Sequence, residues 1–201
     1  MIENMYCWQT NNFSAYGLLA PEDSDIERPK VKLTGLLKPA GEHKLLLKGT
    51  FQATYPFEPE LQPQLGGMRV FLEDSDGALI TDLTIPAGLY DPLTREGWKV
   101  LPPSLDAENP PRSFKFLFKS RDNEDGIRKV LVKVKLARSG DSADISVLVK
   151  GADMDLAVDA DKLPVQMSVD FSPQVFSGLR FATTLEADAC LLKNGATLLC
   201  R

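Results

Sequence analysis

The chain has 201 residues, a formal net charge of −5 and 25% charged residues. A chain of this length buries about 70% of its unfolded surface, so its core requires neither a metal nor a disulfide. The mild net charge excludes a protein that binds polyanions over its whole surface. No apolar stretch approaches the roughly 18 residues of a membrane span.

The first 29 residues show no regular period and include an acidic run at residues 22–25. A short strand is predicted at residues 5–9, followed by a surface loop that ends at Pro29. We therefore predict an irregular segment, residues 1–29, packed on a single domain of residues 30–201. The N-terminus has neither the basic nor the apolar region of an export signal. As written, the chain therefore carries no export signal; the alternative is that it is the mature or excised part of an exported protein.

Alternation of apolar and polar residues predicts the strands of the first half of the domain. Three prolines, at positions 56, 59 and 63, hold an extended connection that we predict to contain no helix. Prolines also bracket a loop at residues 101–113, which is predicted to be disordered or to contact a partner. The predicted strands are residues 30–37, 43–53, 68–73, 79–85, 97–100 and 114–119.

Residues 127–151 show the clearest strand period in the chain. Val130, Val132 and Val134 point to one face of the first strand, and lysines point to the other. A turn at residues 139–142 leads to a second strand with the same alternation. We predict that this hairpin forms the middle of one sheet. Residues 112–138 hold nine Lys or Arg against three Asp or Glu, so one sheet surface is predicted to be basic.

Further strands are predicted at residues 154–158, 164–171 and 178–185, followed by a hairpin that contains two cysteines. Turn signals recur every 8 to 12 residues and no helical period persists, which is typical of a sandwich or barrel. The predicted fold is an all-β antiparallel β-sandwich of about twelve strands with little or no helix. Residues 45–49 are similar to 147–151, and 65–70 to 176–181. The two halves are therefore hypothesised to be a duplication that shares one sandwich.

Cys190 and Cys200 flank an Asn-Gly turn. With a two-residue loop the cysteines point to opposite faces, whereas with a three-residue loop they face each other and a disulfide becomes plausible. The alternative is that both are small buried apolar residues. If they pair, Cys7 is left over, and we expect it to be buried beside Trp8.

Carboxylates are the only cluster in the sequence that suggests a metal or catalytic site. The best metal candidates are Asp153, Asp155, Asp159 and Asp161, whose oxygens are of the kind that calcium binds, although no EF-hand loop is complete. The alternative is that these residues, like the Asp-rich turns at 74–77 and 122–126, were selected for turn geometry. No cofactor other than calcium is predicted.

Enzymatic motifs are absent from the sequence. His43 is the single histidine, and no nucleophile elbow, zinc spacing or nucleotide loop accompanies it. We therefore expect His43 to be a solvated turn residue and the protein to be non-enzymatic. A glycan-active enzyme that uses paired carboxylates about 5 to 9.5 Å apart remains a third hypothesis.

Two binding surfaces are predicted. Lys129, Lys133 and Lys135 share one strand face, which is either a site for an anionic partner or a solvated face that discourages aggregation. Trp98 and Tyr90 would stack on sugar rings if they were exposed together, although burial in the core is the commoner fate of tryptophan. Neither nucleic acid nor a membrane span is expected.

Strand and turn signatures follow one another along residues 45–201. They are Gly-x-Arg-Val, Asp-x-x-Gly, Ile-Pro-Ala-Gly, Gly-Trp-Lys, Phe-Lys-Phe, Gly-Ile-Arg-Lys-Val-Leu-Val-Lys and Val-Lys-Gly. Their spacing resembles that of a group of uncharacterised exported bacterial β-domains, found singly or in repeats. The resemblance implies an extracellular or cell-surface setting and carries no active-site residue. The leading hypothesis is therefore a structural or adhesive subunit that self-associates or binds other surface proteins, and the alternative is a carbohydrate-binding module.

Overall fold

The computed structural model describes residues 26–58, 60–103, 110–121, 125–159, 161–163, 165–171 and 180–201. They form twelve strands, one short helix (α1) and a 3₁₀ turn at Ala187–Ala189. Within these ranges no helix is long and apolar enough to cross a membrane. The elements are β1 Glu27–Thr34, β2 His43–Thr54, α1 Pro63–Gly66, β3 Met68–Glu73, β4 Leu79–Ile85, β5 Gly97–Leu101, β6 Ser113–Lys119, β7 Ile127–Leu136, β8 Ser142–Met154, β9 Val165–Phe171, β10 Arg180–Leu185, β11 Cys190–Lys193 and β12 Thr197–Cys200.

The strands form two antiparallel sheets, which confirms the predicted all-β sandwich. The large sheet has eight strands in the order β11-β12-β1-β2-β8-β7-β6-β5, and the small sheet has four in the order β10-β9-β3-β4. The predicted hairpin is β7–β8, and it occupies the middle of the large sheet between β2 and β6. Gly126 precedes β7 with a φ of +72°, and a methyl group there would overlap the carbonyl oxygen of Ala152. Only glycine therefore fits at this position.

The core lies between the two sheets and is formed by the inward residues of nearly every strand. Phe51 of β2 stacks on Phe181 of β10 with ring centroids 3.5 Å apart, so this pair joins the large sheet to the small one. Val130, Val132 and Val134 are fully buried, as their period predicts. Burial of each such side chain contributes about 1.5 to 3 kcal/mol.

Each sheet is symmetric about its centre: strands at equal distances from its two ends are six places apart in the order of the chain. In the large sheet these pairs are β5 and β11, β6 and β12, β1 and β7, and β2 and β8. In the small sheet they are β4 and β10, and β3 and β9. Each of the first six strands therefore occupies a position equivalent to that of the strand six places later. Residues 45–49 and 147–151 lie at equivalent positions in β2 and β8. Residues 176–179 of the second similar pair lie outside the described ranges, so duplication stays a prediction.

Local details differ from the sequence predictions in four places. Pro63 begins the one-turn helix α1, because proline is well accommodated in the first turn of a helix where its missing N–H is not needed. β1 begins at Glu27 and ends at Thr34, so its boundaries precede those predicted by three residues at each end. Residues 155–159 form no strand, because β8 continues from the hairpin through Met154. His43 is buried rather than solvated.

Several predicted features fall outside the described residues. These are the strand at residues 5–9, Cys7 and Trp8, residues 104–109 of the loop at residues 101–113, and part of the acidic turn at residues 122–126.

Candidate functional site

The lysines of this protein are concentrated in one sheet. The eight strands of the large sheet contain twelve of the fourteen lysines of the chain and three acids, Glu27, Asp144 and Asp153. The two other lysines, Lys38 and Lys162, lie in connections. We call the surface formed by the twelve the lysine face; they are Lys30, Lys32, Lys44, Lys48, Lys99, Lys115, Lys119, Lys129, Lys133, Lys135, Lys150 and Lys193.

Strand alternation directs these lysines away from the core. In β6, for example, Phe114, Phe116 and Phe118 are buried while Lys115 and Lys119 between and beyond them are exposed. Seven of the eight strands contain lysines, and in each of them the apolar residues point to the interior while the lysines alternate with them on the outer face. The result is one continuous cationic surface on the outer side of the large sheet.

The register places several lysines directly opposite one another. Lys129 of β7 faces Lys119 of β6 on one side and Lys150 of β8 on the other. Lys115 faces Lys133, and Lys30 faces Lys48, in the same way. Like charges at directly opposed strand positions destabilise a sheet. The lysine face is therefore electrostatically unfavourable in the isolated protein.

A shallow depression of about 370 Å³ lies on the lysine face near the β11 edge. Four cationic residues line it, Lys30, Lys32, Lys193 and Arg201, and the rest of the lining is Thr197 and Leu199. A site with this lining is suited to an anionic group, because no Asp or Glu side chain lines it to neutralise the cations.

The predicted partner-binding residues Lys129, Lys133 and Lys135 all belong to this surface. Lys133 and Lys135 are exposed, whereas Lys129 is partly buried between its lysine neighbours. Sequence reasoning missed the other nine lysines because they lie on six other strands. The signal that identifies them is that lysines occupy the polar phase of every strand of the large sheet except β12.

Trp98 and Tyr90, the predicted sugar-stacking pair, have different environments. Trp98 is 1% exposed, and its indole N–H donates a hydrogen bond of 2.8 Å to the carbonyl oxygen of Pro86. It therefore presents no open ring face to a sugar, which corrects the prediction for this residue. Tyr90 is partly exposed, and the Nζ of Lys99 lies 3.8 Å from the centre of its ring. Tyr90 thus borders the lysine face beside β5.

The four candidate calcium ligands are exposed and do not converge. Asp153 forms an ion pair with Arg128, and Asp159 accepts the backbone N–H of Asp161 at 3.0 Å within its own turn. Asp153 belongs to β8, whereas Asp155 lies beyond the end of that strand. Among the residues that the structure describes, no group of three or more His, Cys, Asp or Glu is arranged to hold a metal ion. Calcium binding stays a prediction.

A lysine lies among the carboxylates of the neighbouring turn. The Nζ of Lys162 lies 3.2 Å from Asp76, whose hydrogen bond and charge, with further contributions from Asp74 and Asp159, raise the pKa of the lysine. Asp74 is buried, and one of its oxygens accepts the backbone N–H groups of Asp76 and Ala78 at 2.9 Å. Asp74 therefore shapes the β3–β4 turn, as the turn-geometry alternative predicts.

His43 is a structural residue. Its Nδ1 accepts the backbone N–H of Leu156 at 2.9 Å, so its Nε2 is the atom that donates to the carbonyl oxygen of Lys38, at 3.0 Å. Both ring nitrogens are thus occupied by backbone groups that hold the β1–β2 turn against the segment after β8.

The disulfide predicted at the C-terminus is confirmed. Cys190 and Cys200 face each other across β11 and β12, and their sulfur atoms are 2.06 Å apart. The loop between these strands has three residues, which is the loop length for which pairing was predicted. The disulfide fixes the strands that supply Lys193 and Arg201 to the depression.

Comparison with known proteins gives no assignment: no family model matches the chain, and neither curated proteins nor solved structures give a match. The resemblance to exported bacterial β-domains accordingly stays a prediction.

Proposed function

We propose that this protein is a non-enzymatic structural or adhesive subunit that attaches to an anionic partner through the lysine face. The observation that carries the proposal is the segregation of charge: twelve of fourteen lysines lie in the strands of one sheet, with three acids among them. The chain as a whole carries −5, so this segregation is not the result of an overall excess of basic residues.

Electrostatic repulsion within the face supports the same function. Lys119, Lys129 and Lys150 lie directly opposite one another on three adjacent strands. Opposed like charges raise the free energy of the free protein. Anionic groups of a partner would remove this repulsion, and the relief would add to the free energy of binding.

The Cys190–Cys200 disulfide supports an extracellular or cell-surface setting, because disulfides persist in oxidising compartments. In such a setting the subunit would attach to another copy, to a different surface protein or to a glycan. The ring of Tyr90 is partly exposed beside Lys99, which favours the glycan alternative, since an aromatic ring next to a cation suits an acidic sugar.

The proposal is tested with two pairs of substitutions that remove the same charge from different places. Lys133→Gln with Lys135→Gln removes two exposed lysines from the face, and Lys38→Gln with Lys162→Gln removes the two lysines outside it. The probes are immobilised polygalacturonate, polyglutamate and phosphatidylserine vesicles, each at low and high salt. We expect the face variant to lose roughly tenfold in affinity for every probe that the wild type binds, with a steep salt dependence.

The control variant should bind within about threefold of the wild type, because its lysines already pair with Glu42 and Asp76. Equal losses in both variants would mean that overall charge and not the face drives binding. Failure of the wild type to bind any anionic probe would overturn the proposed function.

A further inference from the structure

The two equivalent halves of the fold each place a row of three cations on the lysine face. In one half, Lys119, Lys129 and Lys150 face one another across β6, β7 and β8. In the other half, Lys30 faces Lys48 across β1 and β2, and Arg201 follows Cys200, the residue opposite Val31. Arg201 and Lys30 also line the same depression. The second row therefore repeats the first on the equivalent strands β1 and β2 and at the residue that follows β12.

The two rows join at the centre of the sheet. In the pairing of β2 with β8, Lys150 faces Leu46 and Lys48 faces Leu148, so the two lysines are diagonal neighbours one pleat apart. One cation thus lies on each of the five consecutive strands β1, β2, β8, β7 and β6, and Arg201 follows the end of β12 beside them. Neighbouring strands are about 4.8 Å apart, so the line extends about 24 Å across the sheet. The diagonal step from Lys48 to Lys150 is longer, about 7 to 8 Å. We call this line the cation ladder; it consists of Arg201, Lys30, Lys48, Lys150, Lys129 and Lys119.

Leucines accompany the ladder on one side of each row. Leu117, Leu131 and Leu148 face one another beside the row of Lys129, and they are partly buried. Leu46 and Leu199 lie beside the row of Lys30, but Lys32 stands between them, at the position equivalent to Leu131. The ladder also remains open at its β6 end, where the residue opposite Lys119 is Gly97. A ligand that follows the ladder thus meets a line of charge with leucines beside it, interrupted by Lys32.

We propose that the cation ladder binds one chain of a linear acidic polysaccharide, which lies across the strands with its carboxylate or sulfate groups on the cations. This inference rests on the proposed function and names its partner. A polymer with one acid for each sugar presents charges along a line, as the ladder does, and the C–H faces of its rings pack on the leucines. Lysine ammonium groups are compact point charges with rotatable donors, so they tolerate variation in the position of the anion.

The same features disfavour the two other common polyanions. Proteins that bind single-stranded nucleic acid place aromatic side chains beside the backbone track for base stacking, whereas leucines occupy these positions here. Binding to a bilayer surface depends in part on apolar side chains that enter the interface. The leucines beside Lys129 are instead partly buried between lysines.

The test compares two variants that each remove four lysines from the same face. The ladder variant carries Lys30→Gln, Lys48→Gln, Lys129→Gln and Lys150→Gln; the control carries Lys32→Gln, Lys44→Gln, Lys133→Gln and Lys135→Gln, which lie off the ladder. Oligogalacturonates from trimer to dodecamer serve as probes in calorimetry, and circular dichroism verifies folding. We expect roughly 100-fold weaker binding of the longest oligomer in the ladder variant and about tenfold in the control. Affinity should rise with oligomer length until the chain spans the ladder.

The symmetry of the ladder adds a second measurement. Lys30→Gln with Lys48→Gln and Lys129→Gln with Lys150→Gln remove equivalent halves, so their losses should agree within about threefold. Equal losses in the ladder and control variants, or affinity that does not depend on length, would overturn the inference. Binding to vesicles or polyglutamate without binding to oligogalacturonates would also overturn it while leaving the proposed function intact. Absence of binding to every anionic probe would overturn both this inference and the proposed function.

Discussion

The outer faces of the two sheets differ in how their charged side chains are paired. On the small sheet, Arg69 of β3 donates two hydrogen bonds to Asp82 of β4 and lies 5.5 Å from the ring of Phe71. On the large sheet, four pairs of lysines face each other across three strand pairings. The small sheet contains no lysine in its strands. Both faces obey the same alternation, so the difference between them is a property of side-chain choice and not of fold.

We infer that paired charges stabilise the outer face of the small sheet, whereas repulsion between opposed lysines destabilises the outer face of the large sheet. Proteins retain such locally unfavourable arrangements where function requires them. The contrast also makes quantitative predictions, because a substitution should have a different sign or size according to the surface on which it lies.

The largest expected effect belongs to the core that both sheets share. Phe51→Ala removes the ring that stacks on Phe181 and should lower the free energy of unfolding by about 3 to 5 kcal/mol. Leu131→Ala on the lysine face is the matched control and should cost less than about 1 kcal/mol, because Leu131 is only partly buried. Urea denaturation measures both. Similar losses would mean that the outer face is itself covered in the folded protein.

Arg69→Met tests the paired charges of the small sheet. The substitution removes a bidentate ion pair in which the side chain of Arg69 is 40% exposed and that of Asp82 is 30% exposed. It should destabilise the protein by about 0.5 to 1 kcal/mol. Since the pair is attractive, added salt should weaken it and reduce the difference from the wild type. A difference that grows with salt would contradict a stabilising ion pair.

Lys129→Gln tests the opposed charges of the large sheet, and the expected sign is reversed. Removal of one lysine relieves its repulsion with Lys119 and Lys150 and should stabilise the free protein by about 0.5 kcal/mol. Added salt should raise the thermal midpoint of the wild type more than that of the variant, because screening acts on the same repulsion. Lys38→Gln, outside the face, is the control. Destabilisation by Lys129→Gln would contradict the inference that opposed lysines destabilise the large sheet.

Much of the fold could be predicted from local patterns. The period of β7 and β8, the turn between them and the all-β class follow from alternation and turn residues alone, because these signals act within a few residues. The disulfide depended on one local variable, the length of the loop between Cys190 and Cys200. The buried position of His43 was not predictable, because one of its partners, Leu156, is 113 residues away.

The candidate site was only partly predictable for the same reason. Lys129, Lys133 and Lys135 stand out on one strand, but the lysines of β1 and β2 join them through the pairing of β2 with β8, about a hundred residues apart in the sequence. The register of such a distant pair is set by the packing of both strands on the core. The cation ladder therefore became visible only with the topology.

The smallest predicted effect concerns the turn between the two central strands of the lysine face. The Ser139 hydroxyl and, less strongly, that of Ser142 donate hydrogen bonds to the Asp141 carboxylate and lower its pKa. A lowered pKa in the folded state means that this interaction stabilises the protein above the pKa of the unfolded chain and is lost as the pH falls through the folded pKa. Ser139→Ala should therefore raise the pKa of Asp141 more than Ser142→Ala does, as measured by NMR titration.

Lys135→Gln separates this local cause from the field of the lysine face. If the hydroxyl groups alone lower the pKa of Asp141, removal of the neighbouring lysine charge should leave its titration unchanged. A clear rise in the pKa would show instead that the charge of the face extends to the turn. The opposed lysines would then alter the pKa of a group in the turn between β7 and β8, beyond the strands that carry them. The difference in charge between the two sheets would thus extend to a connecting turn.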